Sequence, residues 1–245
     1  MKYMGSKRRI AKYIAPIIQA HIDSGNYKTY IEPFVGGANM IEHIKCENRC
    51  GSDINEYLIA ALIAISEDPS QFPDLVTESV YEHIQQNKDM HPKHIVGYVG
   101  FAMSFGGKFF GGYRRDKAGS KGCPVNMATQ SRRSLQDATR QHSLLEDVQF
   151  TRHSYKNWAP ENCVVYCDPP YQKTTKYSTD GFSHKEFWLW CRKYSRPEYN
   201  NVILVSEYEA PEMFAKCIWQ KEINSSLTKD TGSKKGTEKL FWVRD

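Results

Sequence analysis

No apolar stretch in the chain approaches the roughly 20 residues of a membrane-spanning helix, and neither an internal repeat nor a low-complexity tract is visible. The opening residues, Met1 to Arg9, are basic but lead into an amphipathic pattern instead of an apolar core with a cleavage site, so a secretory leader is not expected. Cysteine is sparse and odd in number, seven in all; Cys46/Cys50 and Cys163/Cys167 share a spacing, but no histidine pair follows at finger distance. The cysteines read as small buried hydrophobes in a reducing compartment, which makes a soluble cytoplasmic protein without a metal or a membrane partner the expectation. Acidic residues are scarce in one place. Between Phe105 and Arg140, Asp116 and Asp137 face the eight basic residues Lys108, Arg114, Arg115, Lys117, Lys121, Arg132, Arg133 and Arg140, a local charge of +6 in a chain of net +5. Basic charge confined to one segment points to a surface that meets a polyanion, with a solvated charged loop as the alternative.

What remains is the composition of a globular chain: 245 residues, 40% hydrophobic and 25% charged, enough for one large domain or one domain with a sizeable insertion. Ile10, Tyr13, Ile14, Ile17 and Ile18 repeat at helical spacing after Ser6, a candidate N-cap, and Pro16 is expected to kink or divide that helix. A strand over Thr29 to Phe34, a turn at Gly36-Gly37, a helix over Ala38 to Lys45, a short strand near Arg49 to Ser52 and a helix over Asn55 to Ser66 make a βαβα start. After Pro69 the pattern turns helical, over Pro73 to Asn87, Pro92 to Ser104 and Ser131 to Val148, and six glycines between Phe105 and Gly122 exclude a regular helix there. Strands at Val164 to Cys167, Val202 to Val205 and Leu240 to Val243 complete the expected sheet. Residues 67 to 148 are therefore read as an insertion into the sheet domain.

The most specific signal is Asp168-Pro169-Pro170-Tyr171, directly after the apolar run Cys163 to Cys167. An exocyclic amino nitrogen on a base is a poor nucleophile because its lone pair is delocalised into the ring, and alkylating it requires acceptors for its protons. Asp168 and the carbonyl of Pro169 could be those acceptors. Two prolines fix φ near −65° and hold that carbonyl in place, and Tyr171 could stack on the base. The competing reading is a proline-rich turn after a strand. Two further segments fit a nucleotide-like ligand. Gly36-Gly37 after a strand lets a ligand approach the backbone, or is a plain turn. Asp53, at the end of the second strand, is placed to bind ribose hydroxyls, or to cap the helix that starts at Glu56.

Taken in order, Lys2 to Lys7, Glu32 to Asn39, Gly51 to Asn55, Cys163 to Tyr171, Val202 to Pro211 and Glu238 to Val243 resemble the DNA amino-methyltransferases that use S-adenosylmethionine. Within them the chain resembles the adenine-N6 type whose cofactor motif precedes the catalytic one, as in Dam-like bacterial and phage enzymes. The resemblance implies an α/β fold, a Rossmann-like methyltransferase sheet with an inserted, mostly helical target-recognition domain. The catalytic domain would be residues 1–66 and 149–245 and the insert 67–148. It implies S-adenosylmethionine held by Tyr3, Gly5, Lys7, Glu32, Pro33, Phe34, Gly36, Gly37, Asp53 and Asp168, and catalysis by Asp168, Pro169, Pro170 and Tyr171. Double-stranded DNA would be gripped by Lys108, Arg114, Arg115, Lys117, Lys121, Arg132 and Arg133. The target base must leave the stack to reach such a pocket. Phe105, Phe109, Phe110 or Tyr113 could wedge into the gap, or form the insert's own small core. Glu207, where relatives often carry Asn, could accept a second amino proton or order its loop. Gly36-Gly37-Ala38 departs from the spaced glycines of many relatives. Cytosine-N4 methylation shares the acceptor chemistry, and an inactive DNA-binding relative is the rival of another class; the recognition sequence, a partner nuclease and the oligomeric state are left open.

Overall fold

The structure, a computed structural model, describes residues 1–114, 117–118, 123–124, 127–171, 181–224 and 235–244, and of these the side chains outside 117–130, 223–224 and 235. A seven-stranded sheet runs in the order β5-β2-β1-β6-β7-β9-β8. Its strands are β1 (Thr29–Glu32), β2 (Asn48–Asp53), β5 (Val148–Arg152), β6 (Val164–Cys167), β7 (Val202–Glu207), β8 (Ala215–Asn224) and β9 (Lys235–Val243), and β3 (Lys117–Ala118) and β4 (Cys123–Pro124) form a separate antiparallel pair. The helices are α1 (Ala11–Gly25), α2 (Glu56–Glu67), α3 (Glu78–Gln86), α4 (Lys93–Ala102), α5 (Met127–Leu145) and α6 (His184–Tyr194). The chain divides into two compact units: Met1–Lys12, Val35–Ile44 and Arg49–Ser154 form one, and Tyr13–Phe34, Lys45–Asn48 and Tyr155–Asp245 the other. Among the described residues no helix is long and apolar enough to cross a membrane.

In the second unit β6 lies parallel to β1 on one side and to β7 on the other, with Val165 opposite Ile31 and Ile203. Parallel strands are covered on both faces and so read as unbroken apolar runs, which Val164 to Cys167 and Val202 to Val205 are, every residue buried. Because β1, β6 and β7 run the same way, Glu32, Asp168 and Glu207 all stand at carboxyl ends of strands. Then β9 turns antiparallel to β7, and β8 antiparallel to β9. In α6, Ser183 accepts from Glu186 N–H at 3.2 Å, a capping arrangement that also puts an acid at the positive end of the helix.

In the first unit β2 pairs in parallel with β5, Asp53 opposite Arg152. Asn55 caps α2, its side chain accepting from the N–H groups of Tyr57 and Leu58 at 3.0 Å, and Leu58, Leu62 and Ile65 bury one face. Four expectations change. The helix expected over Ala38 to Lys45 is a single 3-10 turn, Ile41–His43, because the backbone is left-handed at Ala38 (φ +57°), although Met40, Ile41 and Ile44 are buried as the pattern required. Helix α1 runs through Pro16 undivided, with the proline on its exposed face, where water can replace the missing N–H···O bond. Ser131 is not a cap but lies inside α5, fully buried, its hydroxyl accepting from Val76 N–H at 3.0 Å. Finally, β5 begins where the helix expected over Ser131 to Val148 ends, in a stretch where no strand was expected. Cys163, Cys167 and Cys191 are buried, Cys46 and Cys50 half-buried and Cys217 exposed.

Helices α2 and α4 touch through Gly97, where an added Cβ would fall 1.9 Å from the Tyr57 carbonyl oxygen. Backbone cannot yield as a flexible side chain can. Gly97→Ala should therefore lower stability by about 2–3 kcal/mol, despite the better helix propensity of alanine. An unchanged urea midpoint would show that the two helices are not in that contact.

Candidate active site

In the first unit the turn after Phe34 is pinned at both ends. Val35 N–H donates to Ser52 O at 2.9 Å and Ala38 N–H to Val35 O at 2.9 Å. Gly36 has φ +48° and lies against the Tyr3 ring, with Tyr3 Cε1 3.0 Å from where a Cβ would stand, and a Cβ on Gly37 would come 2.5 Å from the Met1 carbonyl oxygen. Ala38 adopts the left-handed region without the freedom of glycine, at a cost of roughly 1–2 kcal/mol. Strain of this kind persists where the surroundings enforce it, commonly at ligand sites. Tyr3 in turn packs on Phe101, ring centroids 5.4 Å apart, and Met4 N–H donates to Gly107 O at 3.0 Å. Gly5 is exposed with φ +80°, while Lys7 is only 9% exposed, which is rare for an ammonium that merely solvates a surface.

Asp53 lies against the same turn. Its Oδ1 accepts from Asn55 N–H at 3.0 Å, and the main-chain N–H groups of Gly36 and Ile54 also donate to the carboxylate. Burial outweighs these three donors and pushes the carboxyl up to about 6 from its ordinary 3.8. Since Asn55 is the cap of α2, the capping alternative for Asp53 falls away.

The second unit holds the acidic turn. Asp168 follows β6, and its charge, with that of Glu238, holds the Tyr171 hydroxyl well above the usual phenol range, after the larger effect of burial. Tyr171 donates to Glu238 Oε2 at 2.7 Å, and its ring meets Tyr208 edge-on at 4.7 Å between centroids. Tyr166 Oη and Ser206 Oγ share a hydrogen bond of 2.7 Å beneath, and Tyr30 donates to Glu32 Oε1 at 2.7 Å. Glu207 accepts from Tyr208 N–H at 2.8 Å, and its other oxygen stands 4.0 Å from Nδ1 of His184, whose ring burial holds in the neutral form. Glu207 thus orders its own loop, one of its two sequence readings. Three carboxylates are buried here: Glu32, Glu207 and Glu238. Phe34 sits in an aromatic cluster with Tyr155, Phe182 and Phe187, centroids 5.4, 5.9 and 5.6 Å away. Pro33 and Pro169 are buried, and Pro170 half-buried.

The model of the family described as D12 class N6 adenine-specific DNA methyltransferase matches residues 3–211, most of the chain. The chain belongs to that family. The type II methyltransferase M.FokI of Planomicrobium okeanokoites is 21% identical over 225 residues, 78% of this chain but 31% of the relative, so the chain spans about a third of that protein's length. Among solved structures, the rRNA methyltransferase aviRa of Streptomyces viridochromogenes is similar in two crystal structures. They have TM-scores of 0.44 and identities of 14% and 13%, covering 97% and 99% of this chain and 84% and 86% of the other.

For a D12-class chain the expected residues fall into two sets. Tyr3, Gly36, Gly37 and Asp53 are brought together in the first unit; Glu32, Asp168 and Tyr171 in the second. Sequence reading missed Glu238 as the partner of Tyr171; an acid among Lys234, Lys235 and Lys239, just before the apolar run Leu240 to Val243, was the available signal. Of the basic residues, Lys108, Arg132 and Arg133 are exposed and Arg114 half-buried; Arg115 and Lys121 lie outside the described residues, and Lys117 is described by its backbone alone. Arg140, although exposed, pairs with Glu42 at 3.0 Å and with Asp137 at 3.4 Å. Among the described residues no three His, Cys, Asp or Glu side chains gather as a metal site.

A carboxyl raised to about 6 makes the unliganded fold bind a proton more tightly than the unfolded chain. That contribution to stability is present at low pH and lost as pH rises through about 6. Asp53→Asn should therefore melt several degrees above the parent at pH 7.5, and the gap should close as pH falls toward 4. A pH-independent gap, or none, would mean that the Asp53 carboxylate rests in its surroundings without cost.

Proposed function

We propose that this chain transfers a methyl group from S-adenosylmethionine to adenine N6 in duplex DNA. The observation that carries the reading is the Asp168–Tyr171 turn at the end of β6, with its tyrosine locked by Glu238 and Tyr208, in a D12-class chain. When bound, the cofactor supplies a methyl group activated by a sulfonium. Its loop is Gly36-Gly37, packed so closely on Met1 and Tyr3 that a Cβ would collide, and Asp53 is the acceptor for its ribose hydroxyls. Tyr3, Gly5, Lys7, Glu32, Pro33, Phe34 and Asp168 complete the set toward it. A half-buried carboxylate kept at a cost in stability, as Asp53 is, fits a group held ready for donors that arrive with a ligand.

Asp168 and the Pro169 carbonyl accept the protons of the amino group, and Asp168 stabilises the positive charge that develops on nitrogen as the new bond forms. Tyr171 offers its ring to the face of the base. The acids around it suit amino donors and a cationic ligand and keep the neighbouring hydroxyls neutral. Residues 67–148 serve as the target-recognition insert, and the base is rotated out of the stack. Phe109, Phe110 and Tyr113 pack with Tyr57, Tyr81 and Phe101 in the unit's own aromatic core, whereas Phe105 is 67% exposed. It stands on a turn held by Phe105 N–H to Gly112 O at 2.9 Å and Gly107 N–H to Ser104 O at 3.2 Å. Phe105 is the wedge.

Labelled methyl transfer to duplex DNA, with the product digested and resolved, should yield N6-methyladenine. Asp168→Ala should lower the rate roughly a hundredfold or more. Tyr171→Ala should cost roughly five- to a hundredfold and Tyr171→Phe clearly less, because stacking needs the ring. Equal losses would move the role to the hydroxyl and Glu238; N4-methylcytosine as product would overturn the substrate.

Two substitutions separate grip from extrusion. Replacing Arg132 and Arg133 with Ala should lower the salt dependence of DNA binding by about one unit per lost phosphate contact. Phe105→Ala should slow transfer to a paired target and have little effect on a target opposite a mismatch, where less stacking must be broken. An equal effect on both substrates would remove Phe105 from that role.

A further inference from the structure

The glycine turn of the first unit is fastened by a group that no sequence motif marks. Gln141, on α5, is fully buried, and its Nε2 donates both to the Gly37 carbonyl at 3.2 Å and to Glu42 Oε2 at 2.7 Å. Glu42 is buried as well and has a second partner: Arg140 Nη2 donates to its two carboxylate oxygens at 3.2 and 3.0 Å. Arg140 also reaches Asp137, which Arg8 holds from the N-terminal segment at 2.9 Å. The Met1 amine donates to the same Gly37 carbonyl at 2.9 Å and also to Gln141 Oε1, so Gln141 orients this second donor as well, and Asn39 Nδ2 donates to the Met1 carbonyl at 2.9 Å.

This arrangement exceeds what packing needs. A buried carboxylate is costly unless paired and hydrogen-bonded, and an apolar side chain in place of Glu42 would fill the same space more cheaply. Here the carboxylate does something an apolar group could not. It takes one Nε2 hydrogen of Gln141 and so aims the other at the Gly37 carbonyl, while Arg140 fixes the carboxylate from outside. Gly37 is also the residue that cannot carry a side chain, so its peptide is set by contacts on both sides.

We infer that Gln141 is a positioning residue for cofactor binding: backed by Glu42 and Arg140, it holds the Gly37 peptide in the orientation that the cofactor loop presents to its ligand. The inference rests on the reading of Gly36-Gly37 as that loop. It places α5, a helix of the segment read as target recognition, in the support of the cofactor turn.

S-adenosylhomocysteine is the probe, with its affinity measured by calorimetry on the whole chain. Gln141→Met keeps the volume and loses both donors; it should weaken binding by roughly three- to tenfold. The KM for S-adenosylmethionine should rise by a similar factor, with kcat at saturation and DNA affinity nearly unchanged. A purely structural residue would lower the melting temperature without that split. Affinity equal to the parent's would overturn the inference and leave the cofactor reading intact, whereas no binding by the parent itself would overturn both. Should Gln141→Met fail to fold, hydrogen exchange on the parent decides. Adding S-adenosylhomocysteine should protect residues 36–39 and 137–143 together, and protection confined to the turn would overturn the role of Gln141.

Discussion

A carboxylate taken out of water must find donors in the protein, and most of what is ordered around the acids of each unit follows from that requirement. Glu42 is satisfied by Arg140 and Gln141, and in being satisfied ties a 3-10 turn to α5. Asp53 is ringed by three main-chain N–H groups, one of them from Gly36, so the glycine turn and the end of β2 share one anchor. Glu238 takes the hydroxyl proton of Tyr171 and Glu32 that of Tyr30, each fixing an aromatic ring by its far end. Apolar contacts would bury comparable area but would not fix a ring or a peptide to within a hydrogen bond.

The two halves meet that requirement differently. Around Asp53 the donors are backbone, which cannot change protonation state, and burial still wins, leaving the carboxyl poised near 6. In the second unit the donors are the Tyr30 and Tyr171 hydroxyls, whose own ionisation is driven upward first by burial and then by the nearby carboxylates. Acid and phenol thus fix each other: each hydroxyl is the donor the carboxylate needs, and burial with the nearby charge moves the phenol still further from ionising. The result suits chemistry on a neutral amino group, where the protein must accept protons and withstand a transient positive charge without supplying a nucleophile of its own.

The parts of the fold legible in the sequence were those with one dominant signal. Cys163 to Cys167 and Val202 to Val205 read as buried strands because nothing polar interrupts them, and α2 announced itself through the spacing of Leu58, Leu62 and Ile65, with Asn55 and not Asp53 proving to be its cap. Ala38 to Lys45 misled because its apolar spacing was right and the backbone was not. Met40, Ile41 and Ile44 are buried without a helix, and a positive φ at alanine leaves no mark in composition. Strand β5 was illegible because it is a short edge strand with just Val148 and Phe150 buried. The acidic turn and Asp53 were visible because their chemistry lies within a few consecutive residues. Gln141 and Glu238 were not, since each matters through a partner 99 or 67 positions away.

Charge counted along a sequence is likewise not charge available to a partner. Arg140 contributes to the +6 between Phe105 and Arg140, but its guanidinium already serves Glu42 and Asp137, and its acid Asp137 is held in turn by Arg8. On the same helix Arg132 and Arg133 are exposed. One face of α5 therefore works inward, as counter-charge for a buried acid, and its earlier turns work outward. A polyanion gripped through Arg132 and Arg133 gains little from competing for Arg140, because withdrawing that side chain would leave Glu42 buried with its cation gone, at a cost of about 3–5 kcal/mol. The basic segment is thus divided by pairing, with Arg140 committed to Glu42 and Asp137 while Arg132 and Arg133 lie exposed, and the division falls within a single helix.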